Sequence, residues 1–284
     1  MKKLTTLFTC MAFVAMSFQS FAQDLPKPSP KAKIEQRIGL TDFTMVYSRP
    51  GVKERDIWGG LVPFDEIWRT GANENSLFTC STPVKVNGQT LPAGTYAYLI
   101  LPYSKGEWIV VMNTKTDMWG TDGYDEKNNA IRVSVKAMEG RNLESMTFSF
   151  DNISDGKGEL TFEWAGKKVV LNLEVDVKEQ ALANIERAIK EDPKNARVYR
   201  NAAGYMHATG DLEMALKYIE MSLELDDSQW YPNWMKAEIL FDLGRVKDAK
   251  AQGQVALEIG LKQASESGKP FTYEEMIREE MAKW

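Results

Sequence analysis

Histidine and cysteine are almost missing from this 284-residue chain: His207 is the single histidine, and Cys10 and Cys80 are the only cysteines. Cys10 falls in an apolar leader and Cys80 by itself closes no intramolecular bridge, so a disulfide framework is excluded and the fold stands on its core. The same scarcity removes a Cys/His metal set and a thiol activated by an imidazole. Cys80 alternates with apolar neighbours and reads as a small core residue. His207 precedes a Gly-Asp turn without a partner of its kind. Positive charge is also short. Thirty-five Lys and Arg face 40 Asp and Glu, giving a net charge of −5 and a pI near 5.3, which argues against nucleic acid as a partner. After the leader no apolar run approaches the ~20 residues that cross a bilayer. No glycine-rich phosphate loop occurs. Asp117, Asp122, Asp125 and Glu126 gather without the spacing of a calcium-binding helix-loop-helix, and read as a solvated loop. No cofactor and no metal is implied.

What is present begins with Lys2 and Lys3, an apolar segment over 4–18, and Ser20-Phe21-Ala22 with small residues where a signal peptidase reads. This predicts an export signal over residues 1–22 and a mature protein in the periplasm or outside the cell. Pro26, Pro28 and Pro30 predict an extended linker over 23–33. From residue 34 the hydrophobic period is two, as in Phe43/Met45/Tyr47 and Ile131/Val133/Val135. Val84-Lys85-Val86, Asn87-Gly88 and Gln89-Thr90-Leu91 spell a hairpin, because Asn and Gly tolerate the positive φ of a type I′ turn. Further strands are predicted over 95–101, 108–112, 147–150, 158–164 and 168–175. Eight or nine short strands at this spacing predict an antiparallel β sandwich or jelly-roll-like domain over 34–176. Pro63, Asp65, Glu66, Arg69 and Gly71 have the order of a very short helix.

Beyond residue 177 the period changes to that of helices. Ala181/Ala215/Ala249, Gly210/Gly244 and Ala188/Ser222/Ala256 each repeat at 34 residues, the length of a tetratricopeptide repeat. The pattern predicts a leading helix over 177–191 stopped by Pro193, helix pairs over 196–225 and 230–260, and a capping helix over 272–284. This half resembles tetratricopeptide repeats at its small positions. It departs from them at Met206 and Leu240, where an aromatic is usual, and at Asp227, where proline is usual. The fold class is therefore β followed by α, with a helical tetratricopeptide-like domain over 177–284. Tyr199, Tyr205, Tyr218, Trp230, Tyr231 and Trp234 read as stacking core, and Trp284 as a plug for the stack. Repeats of this kind make groove-like surfaces, which predicts an envelope protein as partner.

The densest stretch is residues 47–75: Ser48-Arg49-Pro50-Gly51-Val52, Trp58-Gly59-Gly60-Leu61-Val62-Pro63, and Trp68-Arg69-Thr70-Gly71-Ala72-Asn73-Glu74. With Leu91-Pro92-Ala93-Gly94-Thr95-Tyr96 and Trp119-Gly120, these motifs are similar to those of the domain-of-unknown-function 2911 family over about 34–175. That resemblance implies an exported, largely β domain and no established activity. From the residues themselves, Arg49, Arg55, Arg69, Asn73 and Glu74 are candidates to line a pocket walled by Trp58, Trp68 and Trp119. Guanidinium forks grip carboxylates or phosphates, and indole faces suit sugar rings. The ligand expected there is a glycan or a small anion. The competing reading pairs Arg69 with Glu74 and assigns the cluster to holding turns. A non-catalytic binding or scaffold role is expected first. The alternative is a hydrolase of saccharide or cell-wall material using two carboxylates among Asp65, Glu66, Glu74 and Asp117.

Overall fold

The computed structural model describes residues 25–284. The expected signal over 1–22, with Cys10, and the first residues of the expected linker lie outside the described residues. The first half is β1 (Lys31–Ile38), β2 (Thr41–Ser48), β3 (Leu77–Cys80), β4 (Val84–Val86), β5 (Gln89–Leu91), β6 (Gly94–Leu101), β7 (Trp108–Asn113), β8 (Asn129–Val135), β9 (Met138–Glu139), β10 (Thr147–Ser154), β11 (Lys157–Trp164) and β12 (Lys167–Glu174). One antiparallel sheet runs β1-β2-β3-β6-β7-β8. The other runs β10-β11-β12-β4-β5, with β9 beside β12. Strand β1 starts inside the stretch whose prolines suggested a linker, and its alternating Lys-Ala-Lys-Ile-Glu side chains suit a half-exposed edge.

Alternation decides which residues meet. Phe43, Met45 and Tyr47 point inward along β2, and the register sets Phe43 opposite Cys80 and Met45 opposite Phe78. The inner faces of the two sheets touch through rings: Tyr47 and Phe148 meet edge to face at 4.9 Å, and Tyr98 and Phe148 at 5.1 Å. Strand β6 breaks the alternation, because Tyr96–Ile100 is buried throughout. Its outer face is covered by Ile67, Met118 and Tyr124, which pack on Ala97, Leu99 and Val111. The loops carrying the candidate site are thus layered onto the outside of the first sheet.

The very short helix expected at 63–71 does not form. Asp65 adopts φ +64, which a right-handed helix forbids. Its N–H donates to Pro102 O, while Trp68 and Ile100 exchange both backbone bonds (2.8 and 3.0 Å). Pairing with β6 overrides the local helical order. The Asn87-Gly88 hairpin forms as read, with both residues at positive φ.

The described chain divides into two compact units. One holds the chain before Arg37 with Asp42–Asp151 and Glu159–Leu173; the other holds Arg37–Thr41, Asn152–Gly158 and Glu174–Trp284. The second contains α1 (Val177–Glu191), α2 (Ala196–Ala208), α3 (Leu212–Leu225), α4 (Trp230–Asp242), α5 (Val246–Ser267) and α6 (Glu274–Lys283). Asp176, Asn195 and Asp211 cap α1, α2 and α3 through their side chains. Ala215, Ser222, Ala249 and Ala256 are all buried, so the 34-residue spacing places small residues where helices approach. Met206 and Leu240 fill core positions in place of aromatics. Trp284 lies between the rings of Trp234 and Phe241, at 5.2 and 5.0 Å. Tyr231 departs from the expected stripe and is exposed. No helix among the described residues is long and apolar enough to cross a membrane.

Candidate functional site

The loop from Arg49 to Asn75 holds its shape through positive-φ residues: Lys53, Glu54, Asp65, Thr70 and Asn73 all adopt it without being glycine. Gly71 sits at φ +147, and a Cβ there would lie 3.1 Å from both Ser48 O and Ser76 Oγ. A side chain at this position is disfavoured on two counts, by the backbone conformation and by the close oxygens. Buried Ser76 donates its hydroxyl to Thr70 O and locks the turn from below.

The sequence-nominated residues do not form one cluster. Arg49 is an inter-sheet clamp: its Nε donates to Met146 O and its Nη2 to Thr147 Oγ1, each at 2.9 Å. Trp58 belongs to a ring cluster with Trp68, Trp108, Phe162 and Trp164, and its Nε1 donates to Ala165 O at 3.1 Å. It also faces a shallow open groove beside Arg55 and Asp56. Asn73 donates to Ser29 O and Ser48 Oγ, both at 3.2 Å, and holds a turn.

Arg55, Trp68 and Arg69 do converge. They line a recess of about 260 Å³ with Gly71, Ala72 and Trp164. Trp68 stacks on Trp164 at 5.8 Å and 18°, so one wall is indole. Arg55 is oriented by donating to Gly51 O (2.6 Å) and Val52 O (3.0 Å), which leaves part of its fork uncommitted. Arg69 is the unusual member. Its Nε is buried and has no hydrogen-bond partner. Among the described residues no carboxylate lies within ion-pair distance of it, Glu74 included. Burial lowers its pKa from the usual guanidinium value, the signature of a cation taken partly out of water without compensation.

A family model described as a protein of unknown function (DUF2911) matches residues 29–173. The chain belongs to the DUF2911 family. No curated protein matches it. The DUF2911 region includes both sheets and every residue of the recess, while α1 to α6 lie beyond it.

A second recess of this DUF2911 region, about 300 Å³, is lined by Glu74, Asn75, Asp117 and Trp119, with Lys31 and Leu77 among its other walls. Glu74 and Trp119 are paired through an isolated antiparallel bridge. Glu74 is exposed, lies 3.7 Å from Lys27, and has its pKa lowered, first by its own backbone N–H and then by Lys27 and Lys31. Asp117 is exposed and lies 3.9 Å from Lys115. Of the four carboxylates weighed for hydrolysis, these two share a recess, whereas Asp65 and Glu66 are exposed and line neither. An acid catalyst needs a raised pKa, and Glu74 is shifted the other way.

Cys80 is buried, donates to Pro92 O, and has its thiol pKa raised by burial, the environment of an inert core cysteine. Among the described residues no group of three or more His, Cys, Asp or Glu is arranged to hold a metal. Sequence reasoning missed Trp164, which closes β11 and supplies a recess wall. It also missed Asn75, whose role shows only once the Trp119-Gly120 strip is beside it.

Proposed function

We propose that the DUF2911 domain is a binding module whose primary ligand is a small carboxylate- or phosphate-bearing molecule held at Arg69. The observation that carries this reading is the Arg69 guanidinium: half-buried, without a carboxylate, and set in a recess that Trp68, stacked on Trp164, also lines. A structural arginine of this burial is normally paired. A cation left without its counter-ion is completed by an anionic ligand, for which a planar fork beside Arg55 offers bidentate contact. Trp68, part-exposed and backed by buried Trp164, gives the apolar body of such a ligand a flat surface. Calorimetric titration of the full chain with simple mono- and dicarboxylates, phosphate and sugar acids tests the reading. The expected result is saturable binding by at least one of them that is abolished in Arg69→Gln. Failure of the whole panel, or undiminished binding by that variant, refutes it.

The helical unit is proposed to be a tetratricopeptide-like surface for an envelope partner, consistent with an exported protein. Support comes from a groove of about 640 Å³ lined by Lys194, Arg197, Arg200, Asp226 and Gln229. Arg200 also lies 5.9 Å from the centroid of exposed Tyr231, a cation and ring combination enriched at interfaces.

A further inference from the structure

The second recess is built for a different ligand from the first. Trp119 is 63% exposed, the most exposed Trp, Tyr or Phe among the described large hydrophobics. Its backbone is nonetheless fixed, because Trp119 is bridged to Glu74 and the neighbouring Gly120 O accepts from Asn75 Nδ2 at 3.0 Å. An exposed indole on a fixed backbone is a platform. Asn75 itself is only 4% exposed, and its Oδ1 has no hydrogen-bond partner. Asn75 is also one of the residues lining the same recess, and buried polar atoms of this kind are normally satisfied.

The charges around the recess argue against an ion as occupant. Glu74 has Lys27 beside it and Asp117 has Lys115, while Lys31 adds a further cation to the wall. What the recess offers is a flat apolar face together with several oxygen acceptors. A pyranose ring presents the complement, a face of C–H groups and a rim of hydroxyl donors. A volume of about 300 Å³ stands at the small end of ligand cavities, roughly 300–1,000 Å³, and suits one ring rather than a long chain.

We propose that this recess is a saccharide subsite, in which one neutral pyranose stacks on Trp119 and donates hydroxyl hydrogens to Glu74, Asp117 and Asn75. The subsite is distinct from the recess of the anion reading at Arg69, since the two share no lining residue.

The test follows the Trp119 indole N–H in the proton–nitrogen spectrum of the full chain, assigned by its loss in Trp119→Phe. The methyl glycosides of glucose, galactose, mannose and N-acetylglucosamine are titrated to millimolar concentration. The expected result is a saturable shift of that resonance by at least one of them. Affinity should fall at least tenfold in Trp119→Ala and severalfold in Glu74→Gln, with both variants keeping the native melting temperature. The same titration on Arg69→Gln separates the recesses, because pyranose binding persists there even where anion binding is lost. A Trp119 resonance unmoved by all four glycosides overturns the subsite, as does binding that survives Trp119→Ala at full strength. Binding lost in Arg69→Gln and kept in Trp119→Ala would move the sugar to the other recess and equally overturn it.

Discussion

Replacing Arg69 by methionine separates a binding arginine from a structural one, because the two readings predict opposite signs. Methionine keeps an unbranched stem in the recess that Trp68 and Trp164 also line and removes the guanidinium. In the wild type the Nε–H is buried without an acceptor, and leaving such a donor unsatisfied costs about 1–3 kcal/mol. Arg69 as a whole is only partly buried, so the lower end of that range applies. Arg69→Met is therefore expected to stabilise the ligand-free protein by roughly 1 kcal/mol. For a unit of this size that is a rise of about 2–4 °C in Tm, read by scanning calorimetry on the transition of the β unit. The gain in stability should accompany complete loss of anion binding, the trade expected where a site is strained for its ligand. A fall in Tm of similar size would mean that the guanidinium bolts the 47–75 turns together, and the argument from its unpaired state would be wrong.

Three further outcomes follow from the same geometry. Arg49→Met should destabilise by about 2 kcal/mol, since hydrogen bonds to a charged group are worth about 1.5–3 kcal/mol; denaturant midpoints compare it with Arg69→Met, which moves the other way. Tyr98 is fully buried, its hydroxyl has no partner, and burial raises its pKa; Tyr98→Phe should raise stability by about 1 kcal/mol in urea melts, and a loss of that size would reveal an acceptor for the hydroxyl. The nearly enclosed Glu163 carboxylate accepts from the Arg141 guanidinium, which lowers its pKa. Because the folded value lies below the unfolded one of about 4.3, the contribution is complete above that pH and disappears as pH falls through the depressed folded value; Glu163→Gln should flatten this acid limb in melts run across it.

Much of the fold was legible because hydrophobic period reports burial directly. The β2 alternation, the Asn87-Gly88 hairpin and the helices at 177–191 and 196–225 are local signals whose tertiary surroundings agree with them. The helix expected at 63–71 failed for the complementary reason: its acids, base and glycine suit a helix, but backbone pairing of Trp68 with Ile100 is a long-range bond that no local pattern announces. The site was legible in composition and not in partition. Arg49, Arg55 and Arg69 look alike in sequence, yet one clamps two sheets, one braces its own turn and one stands unpaired. What separates them is the identity of the facing carbonyls, contributed by Met146, Gly51 and Val52. Trp164, more than ninety positions after Trp68, joins the recess only through the packing of one sheet on the other.

The most direct test of the account watches the Arg69 Nε–H itself. In proton–nitrogen spectra of the full chain that resonance is identified by its absence from Arg69→Met, and the Arg49 Nε–H, already bonded to Met146 O, serves as the internal control. Titration with the small carboxylates and phosphate should shift the Arg69 signal saturably and leave the Arg49 signal in place. An Arg69 signal unmoved by every anion, or both signals moving together in proportion to ionic strength, would contradict the claim that this guanidinium awaits a ligand.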